Sequence, residues 1–541
     1  MSSDNSAIGF VSSTIGFPAD ESQFSFIISK NENDCEKCRL NPLDIVKVQV
    51  QENEYIYASV VSVQSMTDAP DHVANYISNN FGKGAEPKAM NRIAFYCVSA
   101  KVLFNENDNY FPVKNGDNVY LCDNVKELYK IIYSGYSDED KEKQNYIPIA
   151  KQTMYNGGLE LCALLDKRYL IGPDAAHLNI SGMSGVASKT TKAMAILREL
   201  YNRDEDIRIV IFNTKGEDFI DLTEKSIEDL DSIYQELQRF GNRSENSFSP
   251  TTLRPMLANK QSKTKNGENF VLKYSIQKKK GNLDLLVVDD ADTTGTMDGC
   301  TKVIQNWEDK VVKDWDGLKS AVTTQAGKKE KDNTTGIQGI SWKKYSRVIN
   351  RVIDDSGLFV AKGSDIEDLS ELLEKKLKDN VANRVLVIDL AALDNNPLQQ
   401  AYVFGCTMRA IREYCAKDKD NKVAVFVDEL NKYASEDTSA TSPILMDLID
   451  VAERGRSLGL CLVTAEQSLS IIHRRIKANI ANYIYGRTGT LELTQFDYEM
   501  IPQVFKQQMT MFLHADGLIC TSTLNTGLLK AKFPDKFYEE K

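Results

Sequence analysis

Residues 178–200 read LNISGMSGVASKTTKAMAILREL and carry the residue types of an anion cradle. Gly182 and Gly185 let backbone come close to a ligand. Lys189 and Thr190 place an ammonium and a hydroxyl where an apolar-faced helix should begin. A short strand (LNI), a glycine-rich turn and a helix N-terminus together aim backbone N–H groups and the positive end of the helix dipole at one point. For a polyphosphate, the amides would come from Gly182, Met183, Ser184, Gly185, Val186, Ala187 and Ser188. Lys189 would reach the outer phosphates, with Thr190 on Mg²⁺ and Thr191 behind it. The spacing departs from GxxxxGK[ST]: Gly182 lies one place too far from Lys189, and Ser188 stands where glycine is usual. On this segment alone, an ordinary strand–turn–helix with an incidental lysine fits nearly as well.

Phosphoanhydride hydrolysis also needs a carboxylate at a neighbouring strand end for the metal, and an acid beside it to polarise water. Two places offer the pair. LDLLVVDDADTTG carries Asp289 and Asp290, and VAVFVDELNKY carries Asp428 and Glu429. The second has the better sequel. SPILMDLIDVAERGRSLGL predicts a helix with Ser442 as N-cap, Pro443 at its first position and Ile444, Leu445, Leu448, Ile449 and Ala452 on one face. Two strands then follow, LCLVTAEQS and ANYIYGR. Asp289 and Asp290 sit inside a charged segment with no such sequel and are set aside.

The stretches VFVDELNKYA and LIDVAERGRSLGLCLVTAEQSLS resemble the ATPase core of the HerA–FtsK family of hexameric DNA translocases, the HerA type most of all. The features are an acid pair, a helix ending in Gly-Arg and a strand ending in Gln. IRIVIFNTKGEDF is similar to the family's second strand with its Gly-Glu turn, here Gly216-Glu217. RVLVIDLAAL and DGLICTSTLNTGLLKAKFP also have counterparts. The resemblance is specific over 423–468 and looser elsewhere. It implies ATP and Mg²⁺ as cofactors, Lys189 on the phosphates, and Thr190 and Asp428 on the metal. Glu429 becomes the general base and Gln467 the γ-phosphate sensor. Arg456 and Arg487 become candidate arginines acting on a neighbour's nucleotide. It also implies a homo-hexameric ring around double-stranded DNA, working with a partner nuclease or a sirtuin-like effector, with anti-phage defence as one context. The alternative is a nucleotide-binding ring that organises an effector with little translocation.

The elements that must position these groups follow from patterning. Residues 8–125 hold short alternating runs (QFSFIIS, DIVKVQVQ, EYIYASVVSVQS, RIAFYCVSAKVLF, DNVYLCD), which predict small antiparallel sheets closed as a barrel. From about 145 the runs become continuously apolar (RIVIFN, RVLVIDL, KVAVFVD), as in a parallel sheet covered on both faces. The expected fold is α/β: a RecA-like P-loop core with a parallel-dominated sheet, preceded by a small N-terminal β-barrel. The expected domains are a barrel over 1–140 and a core over 145–541. Residues 223–358 read as a mostly helical insertion with helices in SIEDLDSIYQELQRF and KKYSRVINRVI, and 525–541 as a C-terminal extension.

Composition narrows the rest. A chain of 541 residues is too long for one core. No secretory leader or bilayer-length apolar run is evident, which predicts a cytoplasmic protein without membrane contact. A net charge of −11 argues against a broad basic face but leaves room for a lysine-lined channel. His72, His177, His473 and His514 are too scattered for a zinc site. Cys35 and Cys38 form a lone CxxC, read as reduced thiols. Asp437, Asp447 and Asp450 lack a nuclease pattern around them. The lysine runs at 278–282 and 327–333 read as solvated.

Overall fold

In the first strands every second side chain is apolar, as a barrel wall requires: Phe24, Phe26 and Ile28 point inward, then Val46 and Val48, Ile56, Ala58 and Val60, and Val98 and Ala100. The computed structural model describes residues 7–13, 19–29, 40–51, 54–67, 94–105, 111–137, 139, 144–244, 246–258, 266–287, 296–360, 363–379 and 384–539. Cys35, Cys38, His72, Asp289 and Asp290 lie outside them. By compactness the chain divides into two units, 1–143 with 151–163 and 520–531, and 144–150 with 164–519 and 532–541.

The first unit contains a closed antiparallel barrel of β1 (Gly9–Val11), β2 (Gln23–Ser29), β3 (Ile45–Gln51), β4 (Glu54–Thr67), β5 (Ala94–Asn105) and β6 (Asn118–Leu121). Their order is β1-β2-β5-β4-β3-β6, with β6 closing on β1. Closure leaves no edge strand to pair with another chain. Breaks in register between Tyr57 and Ala58 and between Val60 and Ser62 mark bulges that bend β4 around the wall. Helix α1 (Val125–Ile132) follows, capped by the Asn124 side chain.

Strands β7 (Tyr146–Met154) and β8 (Leu159–Asp166) each contribute residues to both units. The sheet of the second unit uses β9 (Leu178–Ser181), β10 (Ile207–Asn213), β12 (Thr251–Pro255), β13 (Gly267–Phe270), β16 (Val385–Asp389), β17 (Lys422–Asp428), β18 (Leu460–Glu466), β19 (Asn482–Tyr485) and β20 (Asp516–Thr521). The order is β13-β12-β16-β10-β17-β18-β9-β19-β20, and the pairs from β13 to β19 are parallel. Every residue of β9, β10, β16 and β18 is buried, which explains the mostly apolar sequences of β10, β16 and β18; β9 (LNIS) buries Asn179 and Ser181 as well.

Minor strands complete the list. Two-residue β11 (Thr223–Glu224) pairs with β22 (Tyr538–Glu539), β14 (Leu272–Lys273) pairs with β15 (Phe359–Val360), and β21 spans Leu529–Lys532.

The helices that cover or extend the core are α2 (Lys189–Arg203), α3 (Ser232–Gln238), α4 (Tyr274–Lys279), α5 (Thr296–Gln305), α6 (Trp315–Gly327) and α7 (Gly339–Val352). After them come α8 (Leu369–Lys378), α9 (Pro397–Lys417), α10 (Pro443–Leu458), α11 (Arg474–Lys477) and α12 (Gln503–Met509). Helix α7 covers the expected KKYSRVINRVI stretch. SIEDLDSIYQELQRF is instead broken: Asp231 caps α3 by accepting from the Ile233 amide, which stops the helix from running back. Helix α10 begins at Pro443 as expected, but the Ser442 side chain makes no capping bond. Among the described residues no helix is long and apolar enough to cross a membrane.

Candidate active site

Strand β9 ends at Ser181, and the chain turns through 182–188 into α2. Gly182, at φ 149°, has no room for a side chain: a Cβ would lie 2.7 Å from the Ala187 Cβ and 2.8 Å from the Arg487 carbonyl oxygen. The turn is pinned from three sides. The Gly182 amide donates to the Glu466 carbonyl, the Met183 amide to the Arg487 carbonyl at 2.7 Å, and the Ala187 amide to the Met183 carbonyl. Ser188 adopts φ 48°, ψ 39°, so the position where glycine is usual does require the left-handed region. Its Oγ lies 3.2 Å from His514 Nδ1. No side chain caps α2, so its first-turn amides remain directed at the turn. Met183, Ser184 and Gly185 are exposed at its mouth, while Val186, Thr190 and Thr191 are half-buried.

Two lysines reach back into this turn. Lys189 Nζ donates to the Gly182 carbonyl at 2.9 Å, and burial lowers its pKa against the opposing pull of Asp428. Lys192, one helical step on and fully buried, donates to the Ala187 carbonyl at 2.6 Å and the His514 carbonyl at 3.0 Å. Burial brings it down to about 8.

The acids stand on the same edge of the sheet. Asp428 ends β17 opposite Ala465, and Ser181 ends β9 opposite Glu466, so only β18 separates turn and acid. Two strand spacings put about 10 Å between them. Burial raises the Asp428 pKa, opposed first by Lys215. Glu429 follows at φ 60°. Its Oε1 pairs with the Lys215 ammonium and accepts from Gln467 Nε2 at 3.4 Å, and Oε2 pairs with Lys432 at 2.9 Å. Burial pushes the Glu429 carboxyl up, but the two lysines outweigh this and bring it to about 2.

Lys189, Asp428, Glu429 and Gln467 therefore come together at one end of the sheet, with Thr190 beside Lys189 in the first turn of α2. The two arginines do not behave alike. The Arg487 backbone packs on the turn of its own chain. Arg456 precedes β18, so a full strand, about 20 Å, separates it from its own turn. Its guanidinium donates to the Asp174 carbonyl at 3.2 Å.

The patterns above missed several groups. Lys215 was visible as the residue before Gly216-Glu217, and Lys432 as a cation three places after Glu429. Lys192 repeats Lys189 at helical spacing. Glu466 had no sequence signal beyond its neighbour Gln467. It is buried, accepts from the Leu430 amide at 2.8 Å, and burial holds its pKa well above the usual carboxylate range.

Several of the other candidates are structural. His177 is buried between two elements, Asp447 and Asp450 are paired with Arg409 and Arg412, and Lys278 and Lys280 pair with Asp309 and Glu413. No cluster of three or more His, Cys, Asp or Glu side chains suited to a metal ion occurs among the described residues. A polar cavity of about 920 Å³ lies at the opposite ends of β10 and β17, lined by Tyr201, Arg208, Arg384 and Lys422 among others. Its arginines are already bonded to backbone carbonyls, Arg208 to Leu377 and Arg384 to Tyr201.

Numbered by order along the chain, the five strands around the turn run 5-1-4-3-2, from β19 through β9, β18 and β17 to β10. The strand before the turn and the strand bearing the acids flank one inserted strand. This is a RecA-like P-loop core.

No protein-family model matches the sequence, and no curated protein matches it. Solved structures do. VirB4 of Thermoanaerobacter pseudethanolicus is 14% identical, with 74% of this chain and 98% of that chain covered, at a TM-score of 0.44. The plasmid coupling protein TrwB in complex with ADP and Mg²⁺ is 12% identical, with 76% and 98% covered, at 0.46. The genome packaging NTPase B204 from Sulfolobus turreted icosahedral virus 2, in complex with ATP-γS, is 15% identical, with 29% and 70% covered, at 0.21.

Proposed function

We propose that this chain is a Mg²⁺-dependent ATPase that couples hydrolysis to movement along double-stranded DNA. It would work as a homo-hexameric ring that delivers DNA to a partner nuclease or effector. The observation that carries the ATPase reading is the crevice itself: the turn ahead of Lys189 and the acids Asp428 and Glu429 face one another across a single strand. The motor reading rests on the resemblance of 423–468 to the HerA–FtsK core.

The chemistry follows from the donor set. Amides of the turn and of the first helical residues take the phosphate oxygens, and Lys189 exchanges the Gly182 carbonyl for the outer phosphates. The hydroxyl of Thr190 and the carboxylate of Asp428 are hard oxygen donors suited to Mg²⁺, which would neutralise charge on the leaving diphosphate. Glu429 accepts the proton of the attacking water as its oxygen bonds to the terminal phosphorus and the bridging P–O bond breaks to release ADP. Gln467, bonded to Glu429, orients that water.

Steady-state hydrolysis of Mg-ATP with and without duplex DNA tests the reading. Lys189→Ala should lose ATP binding. Glu429→Gln should bind ATP while turnover falls at least about a hundredfold. Wild-type turnover in Lys189→Ala would sink the site assignment. Duplex-insensitive turnover, with effector activity untouched by Glu429→Gln but lost when the ring is broken, would mark a scaffold instead of a motor.

A further inference from the structure

Of the cations that the reading above leaves unused, Lys215 meets Glu429 from outside the turn that carries the acid. Lys215 stands just beyond β10, in the turn before Gly216, on a strand adjacent to β17. Its ammonium pairs with Glu429 Oε1 and is attracted by Asp428. The two lysine partners of Glu429 are built differently. Lys432 is three residues along the same short turn and holds Oε2 whatever the neighbouring strand does. Lys215 comes from another strand on a long side chain that is 48% exposed, against 14% for the carboxylate it meets.

Resting on the ATPase reading, we propose that Lys215 reads the terminal phosphate: it leaves Glu429 for that phosphate, and so frees the base only when a triphosphate is bound. Electrostatics favour the exchange. A terminal phosphate carries more charge than one carboxylate and offers three acceptor oxygens, in a site where water is partly excluded. Lys215 is already at the acids that flank the phosphate turn, through its ion pair with Glu429. Lys432 keeps Glu429 in place after the exchange, so the base is released without being lost. Lys189 is parked in a parallel way on the Gly182 carbonyl. Each lysine therefore has an internal acceptor that phosphate can displace.

The proposal separates ATP from ADP, because only ATP carries the group that Lys215 would hold. Calorimetric titration of the full chain with Mg-ADP and with a Mg-bound non-hydrolysable ATP analogue tests it, using wild type, Lys215→Met and Lys215→Arg. Lys215→Met should weaken the ATP analogue at least about fivefold and leave ADP unchanged, with kcat down at least about tenfold. Lys215→Arg should restore most of the discrimination, since it keeps the charge. Equal loss of both nucleotides, or loss of neither, would overturn the role and leave Lys215 as a tie between β10 and β17. Failure of the wild-type chain to bind either nucleotide would overturn the ATPase reading itself. A melting curve for each variant identifies any that does not fold.

Discussion

Ser188 shows how one residue can conceal a site and how its backbone reveals it. Glycine is usual before the lysine because the chain there turns left-handed, and Ser188 adopts that conformation at φ 48°. An L-residue in this region costs about 1–2 kcal/mol, and replacing it with glycine gives back about 0.5–1 kcal/mol through the freer unfolded chain. The balance favours glycine by about 0.5–1 kcal/mol, so Ser188→Gly should raise the melting temperature slightly and retain ATP binding. A β-branched side chain is far less tolerant of positive φ. Ser188→Val should therefore weaken ATP binding at least about tenfold by calorimetry. Intact binding in the valine variant would mean the turn does not need this geometry. From sequence the serine looked like a defect. The added residue between Gly182 and Lys189 is accommodated by the close approach of Gly182 to Ala187, which no pattern of residue types displays.

At the scale of elements, the helix ending in Gly-Arg owes its glycine to packing. A Cβ on Gly455 would sit 2.5 Å from the Leu460 carbonyl oxygen and 2.6 Å from His177 Cε1. Helix propensity alone would make Gly455→Ala stabilising by about 1 kcal/mol. A clash with backbone and a buried ring costs about 1–3 kcal/mol, and it should win, giving a lower melting temperature. His177 locks the same corner. Its Nδ1 accepts from the Leu462 amide at 2.9 Å and its Nε2 donates to the Ala452 carbonyl at 3.0 Å, tying β18 and α10 to the segment that enters β9. Burial lowers its pKa from 6.5 to about 4. Between those values the unfolded chain binds the proton and the folded chain does not, so stability rises with pH there. The contribution is complete above about pH 6.5 and is lost as pH falls toward 4, about 3 kcal/mol in all. His177→Gln should flatten the pH dependence of stability across that window, measured by denaturant melts. An unchanged slope would mean that other groups set it.

Across the whole molecule, what was legible followed the physics of burial. Strands buried on both faces announce themselves as apolar runs, so β10, β16, β17 and β18 were plain, and the barrel strands showed their alternation. Strands β12 and β13, TTLRP and GENF, extend the sheet with polar residues and carry no such signal. The acids and the lysine were readable as types. Their common crevice was not, because it depends on β18 lying between β9 and β17, a fact of strand order.

Strand order also divides the two arginines. Arg456 sits at the far end of β18 from its own phosphate turn, so in the proposed ring it could reach nucleotide only from a neighbouring copy. Mixing tests this directly. Arg456→Ala and Glu429→Gln chains should each be nearly inactive alone. Randomly mixed in equal amounts, they should regain activity at about a quarter of the sites, where an intact Glu429 meets an intact Arg456 from the next copy. An arginine acting within its own chain gives no regain, because no single chain then carries both groups. A mixture as inactive as its parts would thus remove Arg456 from the reaction between copies.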